Sequence, residues 1–277
     1  MPLLHILILA IIQGAAELLP VSSSAHVIVA EKLLGLDPSA PEMTFLLVML
    51  HTGTMFAVLA YFWKRWAKIM SREFGVAILV ATGVTGVIGF GLKKVIEKFF
   101  MSGDSKAEIE TLFSNLPLIG TSLLLVGLLI IYAGIKFPAP TSDLTPKRSI
   151  WIGAIQGLCL PFRGFSRSGA TISASMIAGI PRALAEDFSF ALAVVLTPPV
   201  IVLELRRLLK AQTETGIAID LHSLLAPGLL GMVFSFGAGL IALKFLSSWL
   251  EEGKWKYFGV YCIGASAFVF VLNSIQL

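Results

Sequence analysis

Apolar residues in this chain come in long blocks separated by short charged connections, with no strand-like alternation. Six blocks reach the roughly 20 helical residues that a bilayer crossing needs. They lie at about 43–62, 73–92, 115–135, 188–205, 222–243 and 257–275. Two further apolar pairs are shorter. Residues 3–19 and 24–34 flank Pro20-Val21-Ser22-Ser23-Ser24, and residues 150–160 and 169–180 flank the segment Pro161 to Ser168. Each arm is too short for a comfortable crossing. Two such arms facing each other across a polar turn predict re-entrant helical hairpins, at about 3–34 and 150–180, with tips buried in protein or facing an aqueous cavity.

The two hairpins carry a repeated signal. Ile12-Gln13-Gly14 matches Ile155-Gln156-Gly157, and each Gln-Gly pair leads through a proline to a serine-rich turn, Ser22-Ser23-Ser24 or Ser166-Arg167-Ser168. The order is hairpin, three crossings, hairpin, three crossings, so the halves are about 1–138 and 139–277. An odd number of crossings per half inverts the second half relative to the first, and paired broken helices then meet near the bilayer midplane. The expected fold is an all-α integral membrane protein of one domain, 1–277. It has an inverted-topology repeat, with six full transmembrane helices plus two re-entrant helical hairpins.

Composition narrows the class. Of 277 residues, 56% are hydrophobic and 14% charged, against about 25% charged in a soluble domain. That excess excludes an ordinary water-soluble enzyme, a disordered chain, a coiled coil and a collagen-like chain. The net charge of +4 comes mostly from residues between the apolar blocks, which fits cytoplasmic loops better than a nucleic-acid surface. Lys64, Arg65, Lys68 and Arg72 crowd the connection after the first span, whereas 93–110 carries four basic and four acidic residues. Basic excess falls after spans one, three and five and puts those loops in the cytoplasm. The first hairpin then enters from outside and the second from the cytoplasm. Cys159 and Cys262 read as buried thiols. The stretch Leu3 to Ile12 lacks a basic flank and a cleavage signal, and is expected in the mature protein.

The candidate chemistry lies in polar residues within the apolar hairpins. Glu17 is a carboxylate in an apolar run, expensive unless it faces a cavity or a partner. Gln13, four residues earlier, shares its helix face. His26 follows the serine turn, Arg167 stands between two serines at the second tip, and Arg163 precedes it by four residues. Guanidinium forks and hydroxyls suit phosphate oxygens, and a histidine near a serine suits base-assisted attack or leaving-group protonation. His51 is expected in helix packing or lining a pore, His5 and His222 at interfaces, and Glu186-Asp187 at a structural helix start. Gly83, Gly86, Gly89 and Gly91 read as a packing face. No Walker motif, dinucleotide fingerprint, HExxH or cysteine-based metal motif is present.

These motifs resemble the bacterial undecaprenyl-diphosphate phosphatase family, the bacitracin-resistance proteins, over essentially the whole chain. The family's (Glu/Gln)-x-x-x-Glu segment running into Pro-x-Ser-Ser-x-x-His is met by Gln13, Glu17, Pro20, Ser22, Ser23 and His26. Its Ser-Arg-Ser-Gly-x-Thr segment is met by Ser166, Arg167, Ser168, Gly169 and Thr171. The resemblance implies hydrolysis of undecaprenyl diphosphate, a C55 lipid diphosphate, to the monophosphate and inorganic phosphate. The carrier is thereby recycled for cell-wall synthesis. It implies a divalent cation, Mg²⁺ or Ca²⁺, a homodimer, and a bacterial cytoplasmic (inner) membrane location with the active site toward the periplasm. Family carry-over makes Glu17, Ser23, His26 and Arg167 catalytic, with Gln13, Ser22, Ser166, Ser168 and Thr171 beside the substrate. The sequence departs from the family's usual Pro-Gly-x-Ser-Arg-Ser-Gly: Arg163 precedes Gly164, with proline at Pro161. Arg163 is therefore a further substrate-binding candidate.

Ser23 is the favoured nucleophile, with His26 or Glu17 taking its proton and Arg167 binding the phosphoryl oxygens; Glu17 is the expected metal ligand. Nucleophilic His26 and direct attack by water remain alternatives. The rival function is a lipid-phosphate or solute transporter without hydrolysis, since inverted repeats with broken helices also build transporters.

Overall fold

The computed structural model describes residues 2–37, 40–100, 115–136, 144–215 and 221–275, excepting side chains at 41–42, 99–100, 207–215 and 221–223. The connections 101–114, 137–143 and 216–220, which carry part of the loop-charge expectation, lie outside the described residues, as does the His222 side chain. Ten α-helices are described: α1 (Leu3–Leu18), α2 (Ser23–Leu33), α3 (Pro41–Ile69), α4 (Arg72–Phe100), α5 (Leu116–Ile135), α6 (Pro146–Cys159), α7 (Arg167–Ile177), α8 (Arg182–Thr215), α9 (Leu221–Glu251) and α10 (Trp255–Ser274).

Six of these helices are long and apolar enough to cross a membrane: Met43–Ile69, Arg72–Lys98, Leu116–Ile135, Arg182–Arg206, Leu224–Glu251 and Trp255–Ser274. They are the six expected spans. Four run several residues beyond the apolar blocks, because backbone hydrogen bonding continues through charged ends whose side chains reach polar surroundings. The α3 helix, for example, carries Lys64, Arg65 and Lys68 to its end at Ile69. Leu79 and Val87 on α4 are 70% and 76% exposed, as is usual for an apolar surface facing lipid. The short pairs are α1 with α2 and α6 with α7. The second begins at Pro146, four residues before the expected start, where Thr145 accepts from the Arg148 amide and proline occupies the first turn.

Packing exchanges elements between the two halves. Helix α1 packs on α9 and α6 packs on α4, while α3 meets α8 and α5 meets α10. Counting within each half, the first short helix of one half rests on the second span of the other. Both repeated Gln-Gly pairs serve this exchange. A Cβ on Gly14 would stand 2.6 Å from the Ser235 carbonyl oxygen of α9, and one on Gly157 would stand 2.8 Å from Ile88 Cβ of α4. Such close approach is how helices without a hydrophobic drive between them gain van der Waals contact. The glutamines differ: Gln13 turns to Glu17, whereas buried Gln156 donates to Thr85 Oγ1 at 3.1 Å.

The glycine face expected on α4 is not a packing face. Gly83, Gly86 and Gly91 look onto open space, and only Gly89 meets a neighbour, Leu160. The contact with α6 runs instead along Ala81, Thr85 and Ile88. Glu186 and Asp187 do hold structure, as the fifth and sixth residues of α8. Arg65 of α3 donates to Glu186 at 3.0 Å and to Asp187 at 2.9 Å, and Ser247 of α9 donates to Glu186 at 2.5 Å. This cluster locks three helices, and Phe62, Phe190 and Trp66 stack beside it. Cys159 and Cys262 are free, buried thiols.

Candidate active site

The α1–α2 turn and the α6–α7 turn meet inside the bundle. Glu17 occupies the last turn of α1, Ser23 opens α2, and Arg167 opens α7. Two contacts join the tips to each other and a third ties the first tip to α10. Arg167 Nη2 donates to Glu17 Oε1 at 2.8 Å, Ser168 Oγ donates to the Leu19 carbonyl at 3.3 Å, and Cys262 of α10 donates to the Pro20 carbonyl at 3.4 Å.

Glu17 is the hub. Ser23 Oγ donates to its Oε2 at 2.5 Å and Gln13 Nε2 donates to the same oxygen at 3.2 Å. Arg167 holds the other oxygen, and its second terminal nitrogen, Nη1, is buried without a hydrogen-bond partner. A buried guanidinium N–H left open beside a hydroxyl and a carboxylate is a ready donor for an incoming phosphate oxygen. Backbone geometry at both tips is special. Ser22 has φ 69°, a left-handed conformation that costs a non-glycine residue about 1–3 kcal/mol and tends to persist at functional sites. Gly164 has φ 97°, and a Cβ there would stand 2.5 Å from the Ile119 carbonyl oxygen, so the second turn takes its path only with glycine.

The other sequence-derived candidates take distinct places. Ser166 caps α7 by accepting from the Gly169 amide at 3.2 Å. Thr171 lies 2.6 Å from Ser189 Oγ and donates to the Arg167 carbonyl at 2.8 Å. Ser166, Ser168 and Thr171 are thus buried and hydrogen-bonded around the first turn of α7, which Arg167 opens. Ser22 Oγ pairs with Ser24 Oγ at 3.3 Å. Arg163 is coupled electrostatically to Glu31 of α2, a carboxylate only 1% exposed.

Three residues near the site escaped the sequence reading. His51 of α3 donates from Nδ1 to the Leu47 carbonyl at 2.7 Å and turns Nε2 toward Glu17 Oε2, 3.9 Å away. Its position in an apolar span was the available signal, and packing or pore lining was the reading. Glu31, in a helix of the first hairpin, offered the same kind of signal. Tyr261 of α10, whose hydroxyl meets His26 Nε2 at 2.7 Å, gave none. His26 and Tyr261 line an apolar cavity of about 510 Å³, walled also by Ile12, Val29, Leu33, Leu123, Phe268 and Val269.

Among the described residues no cluster of three or more His, Cys, Asp or Glu side chains could hold a metal ion. Glu17 is the carboxylate at the tips, and both its oxygens already accept protein donors. That donor set fits a cation bound through one carboxylate and phosphate oxygens, as Mg²⁺ commonly is, rather than a protein-built cage.

The chain is similar to known proteins along nearly all its length. A family model described as Bacitracin resistance protein BacA matches residues 6–268. "Undecaprenyl-diphosphatase 2" of Acinetobacter baylyi is 56% identical over 280 residues, covering 98% of both chains. "Undecaprenyl-diphosphatase 2" of Burkholderia orbicola is 32% identical, covering 97% of this chain and 96% of the other. "Undecaprenyl-diphosphatase" of Rhodopirellula baltica is 30% identical over 98% of both. With the polar tips and the six long apolar helices in view, these matches agree with the motifs at Gln13–His26 and Ser166–Thr171: the chain belongs to the BacA bacitracin resistance protein family.

Proposed function

We propose that this multi-pass membrane protein is an undecaprenyl-diphosphatase that releases inorganic phosphate from a C55 lipid diphosphate, with Ser23 as nucleophile. The carrying observation is the Ser23 hydroxyl donating to Glu17 Oε2 while Arg167 holds Oε1 and keeps a buried donor open. The relatives' names support the substrate. The apolar cavity beside His26 offers the isoprenoid chain a place next to the headgroup site.

In this reading Ser23 Oγ attacks the terminal phosphorus and passes its proton to Glu17. The P–O bond to the lipid monophosphate breaks and that product leaves with the bond's electron pair. Arg167 binds the equatorial oxygens as charge develops. Water then attacks the phosphoserine, Glu17 returns its proton to the departing Ser23 oxygen, and phosphate is released. Gln13 donates to Glu17 and holds its orientation, with His51 beside it, while Ser166, Ser168 and Thr171 hold the turn that presents Arg167. A divalent cation arriving with the diphosphate would be held by Glu17 and would neutralise phosphate charge. His26 is less suited to be the nucleophile, because Ser22 and Tyr261 engage both its ring nitrogens.

The exchange of partners between halves supports an inverted repeat in which α1–α2 and α6–α7 are re-entrant hairpins from opposite faces. The basic connection at 64–72 supports a cytoplasmic position for that loop, and the family resemblance supports an active site toward the periplasmic side of an inner membrane. The test is phosphate release from C55 diphosphate by purified protein in detergent, with and without EDTA. Release that EDTA abolishes supports the reading. Lipid movement between vesicle leaflets with no phosphate released would support the transporter instead.

A further inference from the structure

Tyr261 belongs to neither motif and stands on α10, far along the chain from both tips. Its hydroxyl nevertheless lies 2.7 Å from His26 Nε2. The two rings are nearly parallel, 12° apart, with centroids separated by 5.6 Å. On the other side of the imidazole, Nδ1 is 2.8 Å from the carbonyl oxygen of Ser22. That oxygen can only accept, so Nδ1 carries a proton, and in the neutral imidazole Nε2 then presents its lone pair. The Tyr261 hydroxyl therefore donates, and the pair fixes both the protonation and the plane of the ring. The acceptor at Nδ1 comes from the residue held at φ 69°.

This arrangement has a chemical consequence. The lone pair that would take a proton from Ser23, or attack phosphorus, is already engaged by the phenol. Ser23 meanwhile donates to Glu17. The two groups that sequence proposes as alternative bases are thus separated by a side chain that sequence does not single out. Tyr261 also lines the apolar cavity beside His26.

We infer that Tyr261 is a positioning residue for the hydrolysis, holding His26 as the neutral Nδ1–H imidazole in the wall of the apolar cavity by donating to Nε2. The inference rests on the phosphatase reading for its kinetic part and on geometry alone for its spectroscopic part. The measurement is ¹⁵N NMR of the full-length protein, labelled at histidine, in detergent. His26→Gln identifies the His26 resonances by their loss. The wild-type spectrum should show a protonated Nδ1 and a hydrogen-bonded, unprotonated Nε2. In Tyr261→Phe, which keeps the ring and removes the donor, the Nε2 resonance should move downfield toward that of a free imine nitrogen.

In phosphate-release assays of the same preparations, Tyr261→Phe should lower kcat about tenfold, the scale of one lost neutral hydrogen bond, because a loosened His26 no longer holds the Ser22 carbonyl in the turn that sets Ser23 beside Glu17; KM should stay within about twofold. Tyr261→Ala also opens the cavity wall and should change KM as well. A wild-type His26 protonated at Nε2 overturns the inference whatever the activity. So does a Tyr261→Phe variant whose Nε2 resonance or kcat is unchanged. Failure of the phosphatase reading is seen separately, as absence of phosphate release by the wild type, and leaves the tautomer measurement to decide the His26–Tyr261 bond.

Discussion

Replacing Glu17 by glutamine keeps the shape of the side chain and removes the acceptor on which the site converges. The glutamine carbonyl oxygen can still accept from Arg167 Nη2, now 2.8 Å from Glu17 Oε1. The amide nitrogen that replaces Oε2 can only donate, so the Ser23 hydroxyl and the Gln13 amide, at 2.5 and 3.2 Å, both lose their acceptor. Two magnitudes follow. Loss of a positioned general base costs about 10²- to 10⁴-fold in rate, or roughly 3–5 kcal/mol of barrier. Stability should fall less. Stripping a partner from a buried charge costs about 3–5 kcal/mol, but the retained carbonyl keeps one charge-assisted bond and should limit the loss to about 1–2 kcal/mol. Glu17→Gln is therefore expected to fold, to bind substrate and to turn over at least a hundredfold more slowly. Initial rates of phosphate release in matched micelles, paired with a thermal melt, measure both terms. Turnover within threefold of wild type in a folded Glu17→Gln protein would reject Glu17 as base and as metal holder together.

Ser23→Ala should abolish the acid-stable phosphoenzyme that rapid acid quenching traps from the wild type; an acid-labile, base-stable adduct surviving in the variant would move the nucleophile to His26. Arg167→Lys should cut kcat far more than Arg163→Lys, because lysine keeps the charge but loses the fork and the open Nη1 donor, while Arg163 is already turned electrostatically to Glu31. Steady-state kinetics of both variants decide the point, and near-normal turnover by Arg167→Lys with none by a folded Arg163→Lys reverses the assignment. Cysteine placed at Lys64 should resist a membrane-impermeant thiol reagent in intact cells, whereas cysteine at Lys94 should react; labelling at Lys64 overturns the orientation.

Hydropathy made the six long helices legible because lipid demands the same thing of every crossing, a sustained apolar helix. Their ends were not, since α3 and α8 continue through Lys64, Arg65 and Glu186, residues that end an apolar block without ending a helix. Glu17, Ser23 and Arg167 stood out because polar groups in apolar arms are costly. His51, Glu31 and Tyr261 did not, for a different reason. Each gains its meaning from which helix lies beside it, and that depends on side-chain packing across the bundle rather than on local pattern. The Gly83–Gly91 series misled for the same reason: spacing places glycines on a face, but only the neighbour decides whether that face is used.

The exchange of packing partners between halves has a consequence for synthesis. Helix α1 finishes at Leu18, yet the helix it rests on starts at Leu221, and the guanidinium that pairs with Glu17 is 150 residues further along. At about 5–20 residues per second the ribosome needs roughly 8–30 s to make that stretch. Through that interval Glu17 has Ser23 and Gln13 but no guanidinium, and the α1 face that will rest on α9 is bare. The first half is an unfinished surface rather than a module, and the order of manufacture leaves its most demanding residue waiting longest. Any arrest of translation between α5 and α7 leaves Glu17 without the guanidinium that pairs with it.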